Sequence, residues 1–223
     1  MIYALLPYYY EDRPEFEESL KLQTVPYRLI RRNRQRDGIY WTKAMNDFRK
    51  ELIRYRGVKR DDVVCILNND IVFLGNYFEE GSKIKQGEIG IPQVYDGHRL
   101  SEWGLMVDWS RKAFSYFKDC RIDCFGARGI FITAGDFIDS GGYSRLLPHY
   151  LADYAFAIKM IKKGLKPVRL NCFIEHKEHR RDIRVFSALN PKQPIYWTIF
   201  LFLCGRNKYL PLNILKSWVS ALT

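Results

Sequence analysis

The sequence predicts an α/β domain in which helices flank a sheet. Residues 1–70 alternate in the order strand, helix, strand, helix, strand, which is typical of a largely parallel sheet with helical crossovers. The segment DVVCIL (62–67) is continuously apolar, as expected of a strand that is buried on both faces. With 223 residues, of which 47% are hydrophobic, the chain can form one domain with a sizeable core.

The first elements follow from local patterns. IYALLPYY (2–9) is apolar and rich in strand formers, and we expect Pro7 to end or bend this strand. PEFEESLKL (14–22) predicts a short helix, because a proline stands near its first turn and acidic residues stand at its start. PYRLIRRN (26–33) predicts the second strand.

Two longer helices are expected further along the chain. Apolar residues recur at helical period between residues 41 and 56, and Gly57 stands where a C-terminal cap belongs. A second helix is predicted from about Leu151 to Lys163, closed by Gly164. Between them, GARGIFI (126–132) predicts a strand with a glycine-rich approach, and DSGGYS (139–144) predicts a turn.

The net charge of +11 favours an anionic partner. Residues 28–60 hold twelve Lys or Arg against three acids, which fits a solvated helix face, an anionic membrane surface or a phosphorylated substrate. The sequence has no zinc finger, RNP-like motif or helix-turn-helix pattern, so we expect no nucleic-acid partner. Five cysteines without a close CxxC pair fit reduced thiols, and no basic leader marks a signal peptide.

Asn68, Asn69 and Asp70 come directly after the apolar run 62–67. Ligands of α/β sheets bind at the carboxyl ends of strands, where a carboxylate can hold a metal ion. Asn and Asp are also common turn residues. From position alone, the segment predicts either a metal-binding carboxylate or a simple turn.

Four segments, taken in order, resemble family 2 glycosyltransferases, in particular the bacterial branch that includes rhamnosyltransferases. They are DGIYWTKAMN (37–46), LNND (67–70), GARGIFI (126–132) and GGYSRLLPHYLADYAFAIKMIKKG (141–164), and the resemblance covers residues 1 to about 180. It implies a GT-A catalytic domain over residues 1–185, with a Rossmann-like mixed sheet flanked by helices. The implied reaction is inverting transfer of a sugar from a nucleotide-diphosphate donor to a cell-surface glycan or a lipid-linked acceptor.

The resemblance also assigns roles to residues. Asp70 ends the DxD-like motif of the family and would bind Mn²⁺ or Mg²⁺ on the donor diphosphate, with His176 as a candidate second ligand. Asp153, eleven residues before Gly164, falls on the aspartate of the "ED" motif, which is the general base. The candidate donor-binding residues are Pro7, Tyr8, Tyr9, Lys43, Asn46, Asn69 and Arg128, and the candidate acceptor-side residues are His149 and Tyr150.

Other interpretations stay open. Asp153 is also a favourable charge at a helix N-terminus, and His176 is also a surface histidine in a basic loop. Ala152 stands where the family has Glu, and residues 26–38 lack the aspartate-rich stretch that holds the nucleoside. A degenerate member that binds nucleotide or glycan without turnover is therefore the alternative. Sugar nucleotidyltransfer is disfavoured, since its glycine-rich loop is absent near the amino terminus.

Residues 186–223 predict a hydrophobic, amphipathic helical appendage. The uncharged stretch 193–205 would span about 20 Å as a helix, which is short of the ~30 Å hydrocarbon core, so it does not predict a transmembrane helix. Flanking cations suit contact with an anionic membrane, and packing on the catalytic domain or in a homo-oligomer is the alternative. We therefore expect a cytoplasmic protein, peripheral on the inner face of the cell membrane.

Overall fold

The computed structural model describes residues 1–8, 14–116, 121–147, 151–177 and 193–206, which form a mixed sheet with helices on both faces. The strands are β1 (Ile2–Tyr8), β2 (Tyr27–Asn33), β3 (Val63–Ile66), β4 (Ile71–Leu74), β5 (Glu88–Asp96), β6 (Arg99–Glu102), β7 (Met106–Asp108), β8 (Ala113–Ser115), β9 (Ile130–Thr133) and β10 (Lys166–His176). The helices are α1 (Pro14–Lys21), α2 (Trp41–Arg54), α3 (Tyr77–Gly81), α4 (Ala134–Asp139), α5 (Ala152–Lys162) and α6 (Gln193–Leu203).

The strand order is β2-β1-β3-β9-β5-β10-β4, with β6 paired to β5 and β7–β8 as a separate hairpin. β1 is parallel to both β2 and β3, and β5 is parallel to β10, whereas β9, β6 and β4 run antiparallel to their neighbours. The predicted α/β class is confirmed. The expected parallel arrangement holds for the first three strands and for the β5–β10 pair. It is interrupted between them, because β9 starts beside the carboxyl end of β3, where Gly129 N donates to Ile66 O over 2.8 Å.

The core has a layer on each face of the sheet. On one face α1 and α3 bury Phe16, Tyr77 and Phe78, and on the other α2 buries Met45 and Phe48 together with side chains of α4, α5 and α6. Burying one such large apolar side chain contributes about 1.5–3 kcal/mol. These two apolar layers hold the sheet in place. Polar loops can therefore lie at the edge where the parallel strands β1 and β3 end, which we call the carboxyl edge.

β1 continues through Pro7 to Tyr8 and stays paired with β2, so Pro7 does not end the strand. Backbone polar groups alternate between the two sides of a strand, and Leu5 O accepts from Leu67 N on the side of β3. Pro7 faces the same side two residues later, where the ladder with β3 has already ended at Leu5. Its missing N–H therefore costs no ladder hydrogen bond.

The two predicted helix ends have different outcomes. Gly164 closes α5 as predicted, with φ at 95°, while Leu165 N bonds to Met160 O over 3.1 Å. The prediction that Gly57 caps α2 is wrong. The chain is already extended at Tyr55, with φ −81° and ψ 106°, so the helix has ended before the glycine.

Helix α6 packs on the domain through one face. Trp197 and Phe200 are buried, and both rings contact Phe114 of β8. Within the described part of the chain, no helix combines the length and the apolar character that a membrane crossing needs. The expected boundary at residues 185/186 and the amphipathic stretch after 206 lie outside the described residues, so the division into two segments stays a prediction.

Candidate active site

Asp70 lies in the short turn between β3 and β4, at the carboxyl edge of the sheet. Its backbone carbonyl accepts a hydrogen bond from Lys177 N over 2.7 Å, which ties the turn to the end of β10. Two strands that are distant in sequence therefore meet at this turn. The contact brings together Asp70 and His176, the two residues that the sequence analysis named as candidate metal ligands.

Asp70, His176 and Asp96 form a cluster that we term the histidine group. His176 Nε2 lies 3.4 Å from Asp70 Oδ2, and His176 Nδ1 lies 2.8 Å from Asp96 Oδ1. Burial acts to raise the pKa of Asp70, but the hydrogen bond and charge of His176 outweigh it and lower that pKa. Burial acts to lower the pKa of His176, but its bonds to the two carboxylates raise it.

The histidine group offers a cation two ligands from the protein. Asp70 Oδ1 is buried and has no hydrogen-bond partner within the described residues, although an orphaned buried acceptor is costly. Asp96 binds the opposite ring nitrogen, so it orients His176 rather than joining a ligand set. No three His, Cys, Asp or Glu side chains in the described ranges are grouped to hold a metal ion. Asp70 and His176 fit a divalent cation that takes its remaining ligands from a bound anion and water.

Asp153 lies in the first turn of α5 and faces the loop before β9. Its Oδ1 accepts from Tyr154 N over 2.9 Å, and its Oδ2 accepts from Ala127 N over 3.3 Å. Burial, together with the negative charge of Glu102, raises the pKa of Asp153 to about 6. A position at a helix N-terminus favours the ionised form of this carboxylate, but burial outweighs the helix and the two amide bonds in setting its pKa.

Glu102, at the end of β6, is a second carboxylate near Asp153, and we term the two the buried carboxylate pair. Glu102 is 5% exposed and accepts a hydrogen bond from Gly126 N, while the next amide, Ala127 N, serves Asp153. An added Cβ at Gly126 would lie 3.1 Å from Glu102 Oε2, so the glycine permits this close approach. Burial raises the pKa of Glu102, and Arg128 opposes that shift.

Arg128 is close enough to the histidine group and to the buried carboxylate pair to interact electrostatically with both. Burial acts to lower the pKa of its guanidinium, but the negative charges of Glu102, Asp70 and Asp153 raise it. A guanidinium carries five N–H donors in a planar fork that suits phosphate. Arg128 therefore adds the positive charge that an anionic ligand needs beside Asp70.

The other candidate residues are placed as follows. Asn46 donates to Tyr143 O over 3.0 Å and accepts from Tyr143 N over 2.8 Å, so its amide is engaged by a loop. Lys43 is exposed and pairs with Asp47 over 2.7 Å. These contacts favour structural roles, and donor binding by either residue stays a prediction. Pro7 and Tyr8 end β1, Asn69 precedes Asp70, and Tyr9, His149 and Tyr150 lie outside the described residues.

Glu102 and Asp96 were missed by the sequence analysis. Both belong to YDGHRLSE (95–102), where Asp-Gly marks a tight hairpin turn between β5 and β6. The Asp-Gly signal was available and predicts the hairpin. No pattern in the neighbouring sequence indicates that Glu102, the last residue of β6, is buried beside Asp153.

Comparisons with known proteins show the fold. No family model and no curated protein matches the sequence. A structure of GalNAc-T7 with UDP, GalNAc and Mn²⁺ matches with a TM-score of 0.51 and 12% identity, covering 76% of this chain and 36% of that chain. The catalytic domain of Drosophila β1,4-galactosyltransferase 7 with xylobiose matches with a TM-score of 0.51 and 15% identity, covering 80% and 71%.

The chain spans about a third of the GalNAc-T7 structure. At 12% and 15% identity these similarities carry the fold and nothing finer. The chain therefore has the GT-A-like fold that the resemblance implied, while membership of family 2 and of its rhamnosyltransferase branch stays a prediction.

Proposed function

We propose that the protein is a metal-assisted, inverting glycosyltransferase that uses a nucleotide-diphosphate sugar. Its acceptor would be a hydroxyl of a cell-surface glycan or of a lipid-linked sugar. The observation that carries the proposal is that Asp70 and Asp153 lie at one edge of a GT-A-like sheet, Asp70 in the turn after β3 and Asp153 against the loop before β9. One carboxylate has an orphaned oxygen suited to a cation, and the other has a pKa suited to a base.

On the donor side, Asp70 and His176 would hold Mn²⁺ or Mg²⁺. When bound, the cation offsets the negative charge that develops on the leaving diphosphate. Arg128 would donate hydrogen bonds to the same diphosphate, because its guanidinium already lies near Asp70. Asp96 would keep the ring of His176 oriented through Nδ1. GalNAc-T7 was solved with UDP and Mn²⁺, which makes these the first ligands to test.

On the acceptor side, Asp153 would act as the general base. The acceptor oxygen attacks the anomeric carbon and gives its proton to Asp153, while the bond from that carbon to the diphosphate oxygen breaks. Attack from the face opposite the leaving group inverts the configuration. With a pKa of about 6, Asp153 is largely ionised at pH 7 and is still basic enough to take a proton.

A panel of UDP-, GDP-, dTDP- and CMP-sugars, each with and without Mn²⁺, tests the proposal. We expect one nucleotide diphosphate to raise the melting temperature in a Mn²⁺-dependent way and its sugar to be hydrolysed or transferred. Binding without any turnover would support the alternative, a degenerate member that holds nucleotide or glycan. No binding of any donor would contradict the proposed function and, of the alternative, would leave only a member that holds glycan.

We further propose that α6 contacts an anionic membrane. Its buried face packs on the domain, but three of its apolar side chains point away, namely Ile195 at 56%, Phe202 at 62% and Leu203 at 38% exposure. The net charge of +11 favours an anionic surface over a neutral one. A lipid-linked acceptor would make this contact useful, because it would bring the domain to its substrate.

A further inference from the structure

Residues 142 and 143, in the chain that follows α4, are held in place by side chains of two helices, α2 and α5. From α2, the amide of Asn46 bonds both the N–H and the carbonyl of Tyr143. From α5, Lys159 Nζ donates to Gly142 O over 2.9 Å. Gly142 has φ at 82°, and an added Cβ would collide with Asn46 Oδ1. Asn46 and the Gly-Gly-Tyr turn, which belong to separate sequence motifs, therefore form one clamp.

The clamp fixes the ring of Tyr143 against the helix that carries Asp153. The ring stacks on Phe156 of α5, with centroids 4.2 Å apart and planes at 15°. Trp41 of α2 meets it edge-on at 4.8 Å. Phe156 follows Asp153 by three residues, so the two side chains share one face of α5. Tyr143 consequently packs along the face from which Asp153 projects.

The hydroxyl of Tyr143 has no partner in the described part of the chain. The residue is 4% exposed, and its oxygen is buried without a hydrogen bond, which is an unusual state for a hydroxyl in a core. Burial raises the pKa of Tyr143, and the charge of Asp153 raises it further. Asp153 is thus the charged group that interacts electrostatically with the Tyr143 hydroxyl.

We propose that Tyr143 is a positioning residue for Asp153, whose carboxylate accepts a hydrogen bond from one water molecule that in turn accepts a hydrogen bond from the Tyr143 hydroxyl. Asp153 already accepts one hydrogen bond at each oxygen, and Ala127 N at 3.3 Å is a long one. A third donor would fix the carboxylate's orientation and stabilise its charged form. This rests on the proposed function only in naming Asp153 as the base, since the contact itself needs no substrate.

Other groups also face Asp153 and affect its charge. Glu102 from β6 disfavours the ionised form, and Arg128 from the loop before β9 favours it. Tyr154 and Cys124 lie near enough for the charge of Asp153 to raise their own pKa values. The test must therefore change the Tyr143 hydroxyl and leave these groups in place.

Tyr143→Phe removes the hydroxyl and keeps the ring between Phe156 and Trp41. The measurement is an NMR titration of carboxyl carbons in ¹³C-aspartate-labelled protein, with the Asp153 signal assigned through Asp153→Asn. We expect the pKa of Asp153 to rise by about one unit in Tyr143→Phe, because a donor to the charged form is lost. Tyr3→Phe is the matched control, since Tyr3 is also 4% exposed but lies beside Asp62 at the opposite edge of the sheet.

An Asp153 pKa that stays within about 0.2 units of wild type in Tyr143→Phe would overturn the proposal. So would an equal rise in Tyr3→Phe, which would indicate a general effect of removing a buried hydroxyl. Asn46→Ala provides a second test, because it loosens the clamp without touching the hydroxyl, and we expect a smaller rise. The titration needs neither donor nor acceptor, so a failed donor panel would refute the proposed function and leave this result standing.

Discussion

Asp70 and Asp153 are identical side chains at the same edge of the sheet, yet their pKa values move in opposite directions. In the histidine group, Asp70 faces a protonatable imidazole that favours its charge. In the buried carboxylate pair, Asp153 faces Glu102 and little solvent, which disfavours its charge. The carboxyl of Asp70 thereby stays ionised, as a cation ligand must, whereas that of Asp153 is suited to gain and lose a proton. The contrast shows that residue type alone does not set the role.

The largest expected effect is on turnover and comes from Asp153. Asp153→Asn keeps the size and the hydrogen-bonding capacity of the side chain but cannot take a proton. We expect turnover to fall by about 10²–10⁴ while donor affinity is kept. Parallel measurements of transfer rate and of nucleotide affinity check this, with Asp139→Asn, an exposed carboxylate on α4, as the control. Loss of donor affinity in Asp153→Asn would contradict the division of roles in which Asp70 serves the donor and Asp153 serves the acceptor.

The second effect belongs to the histidine group. Asp70→Ala should abolish the Mn²⁺-dependent part of the stabilisation by a nucleotide diphosphate, because it removes the orphaned oxygen. The melting temperature of the ligand-free protein should fall only by the loss of the contact between Asp70 Oδ2 and His176, since Asp70 Oδ1 makes no hydrogen bond within the described residues. Thermal shifts with UDP, with and without Mn²⁺, measure both, and Asp139→Ala is the matched control. If the Mn²⁺ dependence is unchanged in Asp70→Ala, Asp70 is not a metal ligand and residues 68–70 form only a turn.

The sequence contains local signals for the elements that carry Asp70 and Asp153, but not for what surrounds them. A continuously apolar run marks β3, and Gly164 marks the end of α5, so both carboxylates could be placed on the correct elements. Their neighbours arrive through long-range pairing. Glu102 comes from a hairpin on β5, and Asn46 meets Tyr143 across 97 residues. Such contacts leave no periodic pattern in the chain.

The topology shows the same limit. Strand β9 was predicted from GARGIFI, but its antiparallel direction depends on where residues 67–129 leave and re-enter the sheet. The uncharged run 193–205 was compatible with packing on the domain or with membrane contact, and its composition does not show which side chains are buried. The structure shows this, because Phe200 is buried against the domain and Phe202 is exposed.

The third effect is on pH dependence and separates the members of the buried carboxylate pair. The base must be ionised, so kcat/KM should fall as the pH drops through about 6, the pKa of Asp153. Glu102→Gln removes a like charge, so this acidic limb should move to lower pH by up to about one unit. Burial is the larger cause of the raised pKa, and the limb should therefore stay above the value of a free aspartate. A limb that does not move would exclude coupling between the two carboxylates.

Folding stability gives an independent check of the same pKa. The carboxyl of Asp153 binds its proton more tightly in the folded state than in the unfolded chain, so its contribution to stability is present at low pH. That contribution is lost as the pH rises through about 6. Asp153→Asn should consequently raise the free energy of unfolding at pH 8 relative to wild type, measured by urea titration. A lower free energy of unfolding in this variant would mean that the charged form of Asp153 is stabilised by the fold.

The smallest expected effect is on membrane binding and comes from α6, which has one face buried against the domain and one exposed face. Deleting the whole C-terminal segment would also remove Trp197 and Phe200 from the core, so a point substitution is the cleaner test. Phe202→Ser should weaken binding to anionic liposomes about tenfold, because burying a phenylalanine is worth about 1.5–3 kcal/mol. Leu22→Ser, at a residue that is 73% exposed near the end of α1, is the control and should bind like wild type. Co-sedimentation with vesicles at rising salt measures this, and binding should weaken as charges are screened. If the full chain ignores such vesicles at low salt, the outward face of α6 is not a membrane surface.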